Sequence, residues 1–361
     1  MVALDVAWRY GKSGRRTPRA FRQKKRSPTQ LEILRKNIAQ LQADVGAVQN
    51  PVDQTKEIIH DVKAPLLVPK KVGKALGNLR TVLRLVRAVA RAASFIPGPA
   101  GRAAKVLDKG LNPLLGPPAP GAVKESQDAA KKIDNALGPA RKKIETLEKP
   151  VNKASDELAT IQHRLKVLRE IDEKLIKRYG NNPPPDVEGC VKKINDALAQ
   201  VMTPMARIKR WLGNRLSQVA SALGTLARYL ATLGKIAGTI NRVLGYLNKV
   251  TPYLNRLKPI LKKLEWAYRK AKWLFKQLLK KFGINLGKIE KFFNDLINRI
   301  NPLKGVMRQL KQLVDQIRRA VSNIPEVTAL AKILKELQGL SALLDREIEK
   351  IFRSACRNVL L

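Results

Sequence analysis

Apolar residues spaced alternately three and four apart run through most of this chain, and that spacing lays a seam along one side of a helix. Leu31, Leu34, Ile38, Leu41, Val45 and Val48 begin it. A longer run keeps one register from Val123 through Ile144, Val151, Leu158 and Leu165 to Leu175. That run is about eight heptads, or about 85 Å of continuous helix. A chain patterned in this way must bury its seams against other helices. The expected fold is therefore all-α: an elongated antiparallel helical bundle with long, proline-kinked coiled-coil arms.

Prolines punctuate the pattern. Pro139 and Pro150 fall inside the long run without changing its register, so they are read as bends. Asn181-Asn182-Pro183-Pro184-Pro185 is read as a tight turn, because no helix crosses three consecutive prolines. A second arm follows from Val187 to Leu212 and, after a one-step slip, from Leu216 to Leu247. The two arms should pack antiparallel against each other. Asn50-Pro51, Thr203-Pro204, Thr251-Pro252 and Asn301-Pro302 each read as an N-cap followed by a first-turn proline. Ser27-Pro28 with Gln30 reads as a capping box.

The expected organisation is a disordered basic arm over 1–27 and N-terminal bundle helices over 28–63. A Pro- and Gly-rich cap or loop with one amphipathic helix covers 64–121. A long helical hairpin over 122–250 turns at 181–185, and C-terminal helices occupy 251–361. Gly224, Gly234, Gly238 and Gly245 predict an arm that neighbouring helices approach closely.

Charge carries the functional signal. Lys and Arg number 71 against 29 Asp and Glu, a formal net charge of +42. Self-repulsion on this scale points to an anionic partner. The excess is uneven: residues 122–179 hold 14 basic and 10 acidic residues, whereas 197–264 hold 12 basic and no acidic ones. Arg228, Lys235, Arg242, Lys249, Arg256, Lys263 and Lys270 recur at intervals of seven, the first three opposite the seam. Arg80, Arg84, Arg87 and Arg91 form a second ridge in a segment, 64–107, without an acid. These eleven side chains are the candidate anion-binding residues. Over 256–282, ten basic residues and one acid surround Trp266, Tyr268, Trp273, Phe275 and Phe282. Tyr268, Phe275 and Phe282 lie on the seam and are read as core. Trp266 and Trp273 lie outside it, either covered by a further helix or acting as interfacial anchors.

Catalytic and metal chemistry find little to work with. His60 and His163 are the two histidines and stand without ligand spacing around them. Gly11-Lys12-Ser13 has the tail of a phosphate loop, but Val6 occupies the position of its first glycine. Cys190 and Cys356 are too few for a disulfide framework and too distant for a metal motif. They are read as free, small apolar residues, their pairing left open. Met1–Ser27 has nine Lys or Arg and one Asp without a secretory apolar core, and no window is apolar enough to span a membrane.

The expected role is thus that of a non-enzymatic, cofactor-free structural or interaction protein whose basic face docks on an acidic scaffold or assembly. Sequence-independent nucleic-acid binding is the next expectation. Action on an anionic membrane surface, of a kind loosely similar to helical pore-forming toxins, is the third, although no motif matches that class residue by residue. Assembly into a homo-oligomer is compatible with all three.

Overall fold

The computed structural model describes residues 28–116, 120–180 and 182–360. The expected basic arm and the Gly11-Lys12-Ser13 segment lie outside the described residues. Within them the protein is an all-α helical bundle with no strand. Its helices are α1 (Gln30–Lys63), α2 (Val68–Ala93), α3 (Pro99–Leu115), α4 (Ala122–Ala136), α5 (Gly138–Tyr179), α6 (Pro185–Lys270), α7 (Lys272–Lys281), α8 (Leu286–Ile300), α9 (Pro302–Ser322), α10 (Thr328–Phe352) and α11 (Arg357–Leu360). A 3-10 turn, Pro65–Leu67, joins α1 to α2.

The helices stack end to end into four columns. The first is α1 and α2, the second α3, α4 and α5, the third α6 alone, and the fourth α8, α9 and α10. Partners along the columns give their directions. Asn195 donates to the Gln30 carbonyl at 2.9 Å and Lys209 pairs with Asp44 at 2.7 Å, so α1 and α6 run parallel. Arg35 meets Asp172 and Lys63 meets Glu148, so α1 and α5 run antiparallel. Arg164 meets Asp345, and Lys143 donates to the Ile324 carbonyl, making α5 and α10 parallel. Arg207 meets Glu336, and the directions just given make α10 antiparallel to α6.

The first column packs on the second and third, and the fourth packs on those same two. The second column and α6 therefore face each other across the diagonal of the bundle. This corrects the expected pairing of the two long arms. Although few residues separate α5 from α6 in sequence, and Gly180 at the end of α5 has φ 63°, the arms do not lie side by side. The heptad seam of α5 is filled by α1 and α10, whose own apolar faces need the same partners.

The seams are buried as their spacing requires. Leu31, Leu41, Leu147, Leu165, Leu198, Leu212, Leu230 and Leu247 are each at most 1% exposed. Each such side chain contributes about 1.5–3 kcal/mol by leaving water. That burial carries the helices through their prolines. Pro51, Pro150, Pro204, Pro252 and Pro259 all lie inside helices, and α6 continues unbroken for 86 residues, about 130 Å. An interior proline disfavours a helix by about 3 kcal/mol, less than the adjoining seam residues return. Of the four expected proline starts only Pro302 opens a helix, and Asn301 before it is helical and makes no side-chain cap. The capping box belongs to Thr29 and Glu32: Thr29 Oγ1 accepts from the Glu32 amide and Glu32 Oε2 accepts from the Thr29 amide. Thr-x-x-Glu supplies both halves of the motif.

Two further corrections concern 64–121 and the long run. The described part of the first segment contains two packed helices rather than one: Pro69 stands in the first turn of α2 and Pro99 in that of α3. The long run divides at Leu137, whose backbone is helical but ends α4, so α5 begins at Gly138-Pro139. This break sits beside those of two other columns. Arg141 donates to the Leu66 carbonyl at 2.8 Å and Lys143 to the Ile324 carbonyl at 2.5 Å. Cations at the start of α5 thus satisfy carbonyls freed where its neighbours break, while α6 continues past them.

Cys190 and Cys356 form a disulfide, with Cα atoms 5.6 Å apart. The reading of two free cysteines is corrected. Helix direction explains it: α6 starts where the fourth column ends, so residues 166 apart in sequence meet at one end of the bundle.

Candidate polyanion-docking face

The seven-residue spacing of cations on α6 becomes a line on its outer side. Arg228, Lys235, Arg242, Lys249, Arg256, Lys263 and Lys270 are all exposed. None of the seven forms an ion pair among the described residues, whereas Arg207 and Lys209 lower on the same helix are paired with Glu336 and Asp44. Successive charges stand about 10 Å apart along the axis.

The structure also shows the setting of this line. Four tandem heptads, Leu223–Tyr229, Leu230–Ile236, Ala237–Val243 and Leu244–Val250, repeat the order apolar, small, Thr or Tyr, apolar, variable, cation, apolar. The small residues are Gly224, Ala231, Gly238 and Gly245, beside Thr225, Thr232, Thr239 and Tyr246. Each threonine hydroxyl donates to the carbonyl four residues back. Thr225 and Thr239 also accept from Arg228 Nη2 and Arg242 Nη2, at 3.1 and 3.3 Å, which steadies those guanidinium groups. Sequence reasoning singled out the cations and missed the threonines; self-similarity at a period of seven was the available signal. The expected close approach of neighbouring helices is corrected. A methyl group built on Gly224, Gly234, Gly238 or Gly245 would meet nothing within 4 Å, because this face is turned to solvent.

The Arg80 to Arg91 ridge is different. Arg87 and Arg91 both pair with Asp108 of α3 at 3.1 Å, and Arg87 donates as well to the Gly116 carbonyl and to Asn112. The Arg87 side chain is only 13% exposed. These two arginines clamp α3 onto α2 and are already engaged within the chain, Arg87 from a largely buried position and Arg91 from one still 58% exposed. Asp108 is the first acid after the acid-free segment, and only the fold-back of α3 brings it to the ridge. Arg84 remains exposed and Arg80 partly so, without ion pairs among the described residues.

Trp266 and Trp273 are uncovered, at 59% and 63% exposure. Trp266 stands three residues after Lys263 and four before Lys270, so it lies in the cationic line itself. α6 stops at Ala271, whose backbone is extended, and α7 folds back to seat Phe275 against Tyr268 and Phe95, with ring centroids 5.4 and 6.3 Å apart. Phe275 is buried and Tyr268 half-buried in this aromatic cluster, whereas Phe282, read as core, is half-buried and lies outside the core cluster.

Acidic residues gather elsewhere. An open groove between α1 and α5 is lined by Asp53, Glu57, Asp61, Glu148 and Asp156 with Lys56 and His60. His60 and His163 are exposed, and among the described residues no three His, Cys, Asp or Glu side chains are grouped to hold a metal ion. One buried carboxylate is electrostatically unusual: burial raises the Asp172 pKa above its ordinary value, against the lowering effects of its hydrogen bond to Arg35 and of the Arg35 charge. Its Oδ1 has no hydrogen-bond partner.

No family model, curated protein or solved structure matches this chain.

Proposed function

We propose that the protein is a non-enzymatic helical rod that docks its cationic side on an anionic macromolecular partner. The observation that carries this reading is the line of seven exposed cations on the second half of α6, none of them ion-paired among the described residues, which runs on past the level of the charge-balanced α5. Net charge alone would act equally in every orientation. A regular line confined to one face of α6 instead orients the rod, bringing that face to the partner and leaving α5 with its acidic groove away from it.

The test is affinity for a linear polyanion, poly-L-glutamate, measured at low and physiological salt. Reversing Lys235, Arg242 and Lys249 to Glu weakens binding by about tenfold or more and flattens its salt dependence. The control reverses Lys149, Lys153 and Lys166 on α5, all exposed, with the same change in net charge. Equal losses from the two triple variants would refute an oriented face.

A further inference from the structure

Five large hydrophobic side chains are exposed among the described residues: Leu67, Val106, Tyr253, Trp266 and Trp273. Four of them belong to one end of the rod, made by α3, the last turns of α6, α7 and α8. Tyr253 lies edge-on to Phe292 of α8 at 5.0 Å, and Phe95, just before α3, touches both Tyr268 and Phe275. The outer face of α3 sets exposed Val106 among exposed Arg102, Lys105 and Lys109. The same end carries Lys262, Lys263, Lys270, Lys272 and Lys276, all exposed. Its one acid over 256–282, Glu265, is already bonded to Arg269 at 2.6 Å.

We infer that this end of the rod is an anchor for an anionic lipid surface, with Trp266 and Trp273 seated among the headgroups and the lysines around them on lipid phosphates and carboxylates. The inference rests on the reading of α6 as a polyanion-docking face and names the partner met at its end. Tryptophan combines a large apolar ring with an N–H donor and favours the boundary between hydrocarbon and water. Cations beside it add an attraction that depends on acidic lipid, each contributing on the order of 1 kcal/mol near the surface. A few exposed rings with a basic surround suit peripheral attachment. Among the described helices none is long and apolar enough to cross a membrane.

Nucleic acid fits this end less well. A platform for single strands stacks successive bases on aromatic rings distributed along its cationic groove. Here the stretch from Arg228 to Lys263 presents one exposed ring, Tyr253, and the two exposed tryptophans stand only in the last turns of α6 and the first turn of α7.

The test is co-sedimentation of the whole protein with vesicles of phosphatidylcholine containing about 30% phosphatidylserine, against pure phosphatidylcholine vesicles. The expected result is binding to the acidic vesicles that falls by about tenfold or more in Trp266→Ala/Trp273→Ala, with helicity and melting temperature unchanged. A second variant, Lys262→Gln/Lys270→Gln/Lys272→Gln, leaves the rings in place and should abolish the preference for acidic lipid. Equal vesicle binding by wild type and the tryptophan variant would overturn the inference. So would loss of affinity for single-stranded DNA, in place of vesicles, on removing the rings. Binding of poly-L-glutamate without any vesicle binding overturns the lipid anchor alone, whereas failure to bind either probe overturns the docking face with it.

Discussion

Breaking the bond between Cys190 and Cys356 should release the base of the fourth column while leaving the helices themselves formed. The bond closes a loop of 166 residues, which holds nearly all of α6 and everything after it up to the end of α10. Chain-entropy reasoning for a loop of that length gives a restraint on the unfolded chain of about 5 kcal/mol. With about 2.1 cal/mol/K of unfolding entropy per residue, the 361-residue chain has about 0.76 kcal/mol/K at its midpoint, so the melting temperature should fall by about 7 °C. Both cysteines are nearly buried, at 8% and 2% exposure, so substitution also removes packing. Calorimetry on oxidised protein, reduced protein and Cys190→Ala/Cys356→Ala separates the effects: reduction reports the restraint, and the variant adds the lost contacts. Amide exchange should accelerate first in α10 and α11, whose attachment to α6 the bond secures. The reasoning fails if both thiols of the unreduced native protein can be alkylated, or if reduction leaves the melting temperature unchanged.

Two further outcomes test the bundle's electrostatics. Because burial raises the Asp172 pKa, the folded protein holds that proton at a higher pH than the unfolded chain does, so ionising Asp172 lowers stability as pH rises through this window. The melting temperature of Asp172→Asn relative to wild type should therefore move in the variant's favour between about pH 4 and neutrality; a constant difference, or the opposite slope, contradicts it. Arg87→Ala should destabilise the protein by about 2–3 kcal/mol, since it strips Asp108, Asn112 and the Gly116 carbonyl of a shared, largely buried donor. Arg84→Ala, on the same face but exposed and unpaired, should stay within about 0.5 kcal/mol. Denaturant melts giving the two variants the same midpoint would remove the distinction between clamp and free ridge.

Local pattern decided a large part of this protein. A residue's place in a heptad determines whether it points inward whatever helix it meets, so the buried seams and the exposed line from Arg228 to Lys270 were both legible in the sequence. The helices from Leu286 onward were legible for the same reason. Tertiary packing decided the remainder, because heptads specify that a face is buried and not which helix buries it. Thus α5 and α6, neighbours in sequence, stand diagonally apart, and α6 passes Pro204, Pro252 and Pro259, whose local preference to end a helix yields to the seam on either side. The same long-range arrangement engages Arg87 and Arg91 within the chain by bringing Asp108 to them, and joins Cys190 to Cys356. Which charges face solvent could be read from spacing. On which side of the rod they collect, and which of them have already met a partner within the chain, depended on contacts between residues far apart in sequence.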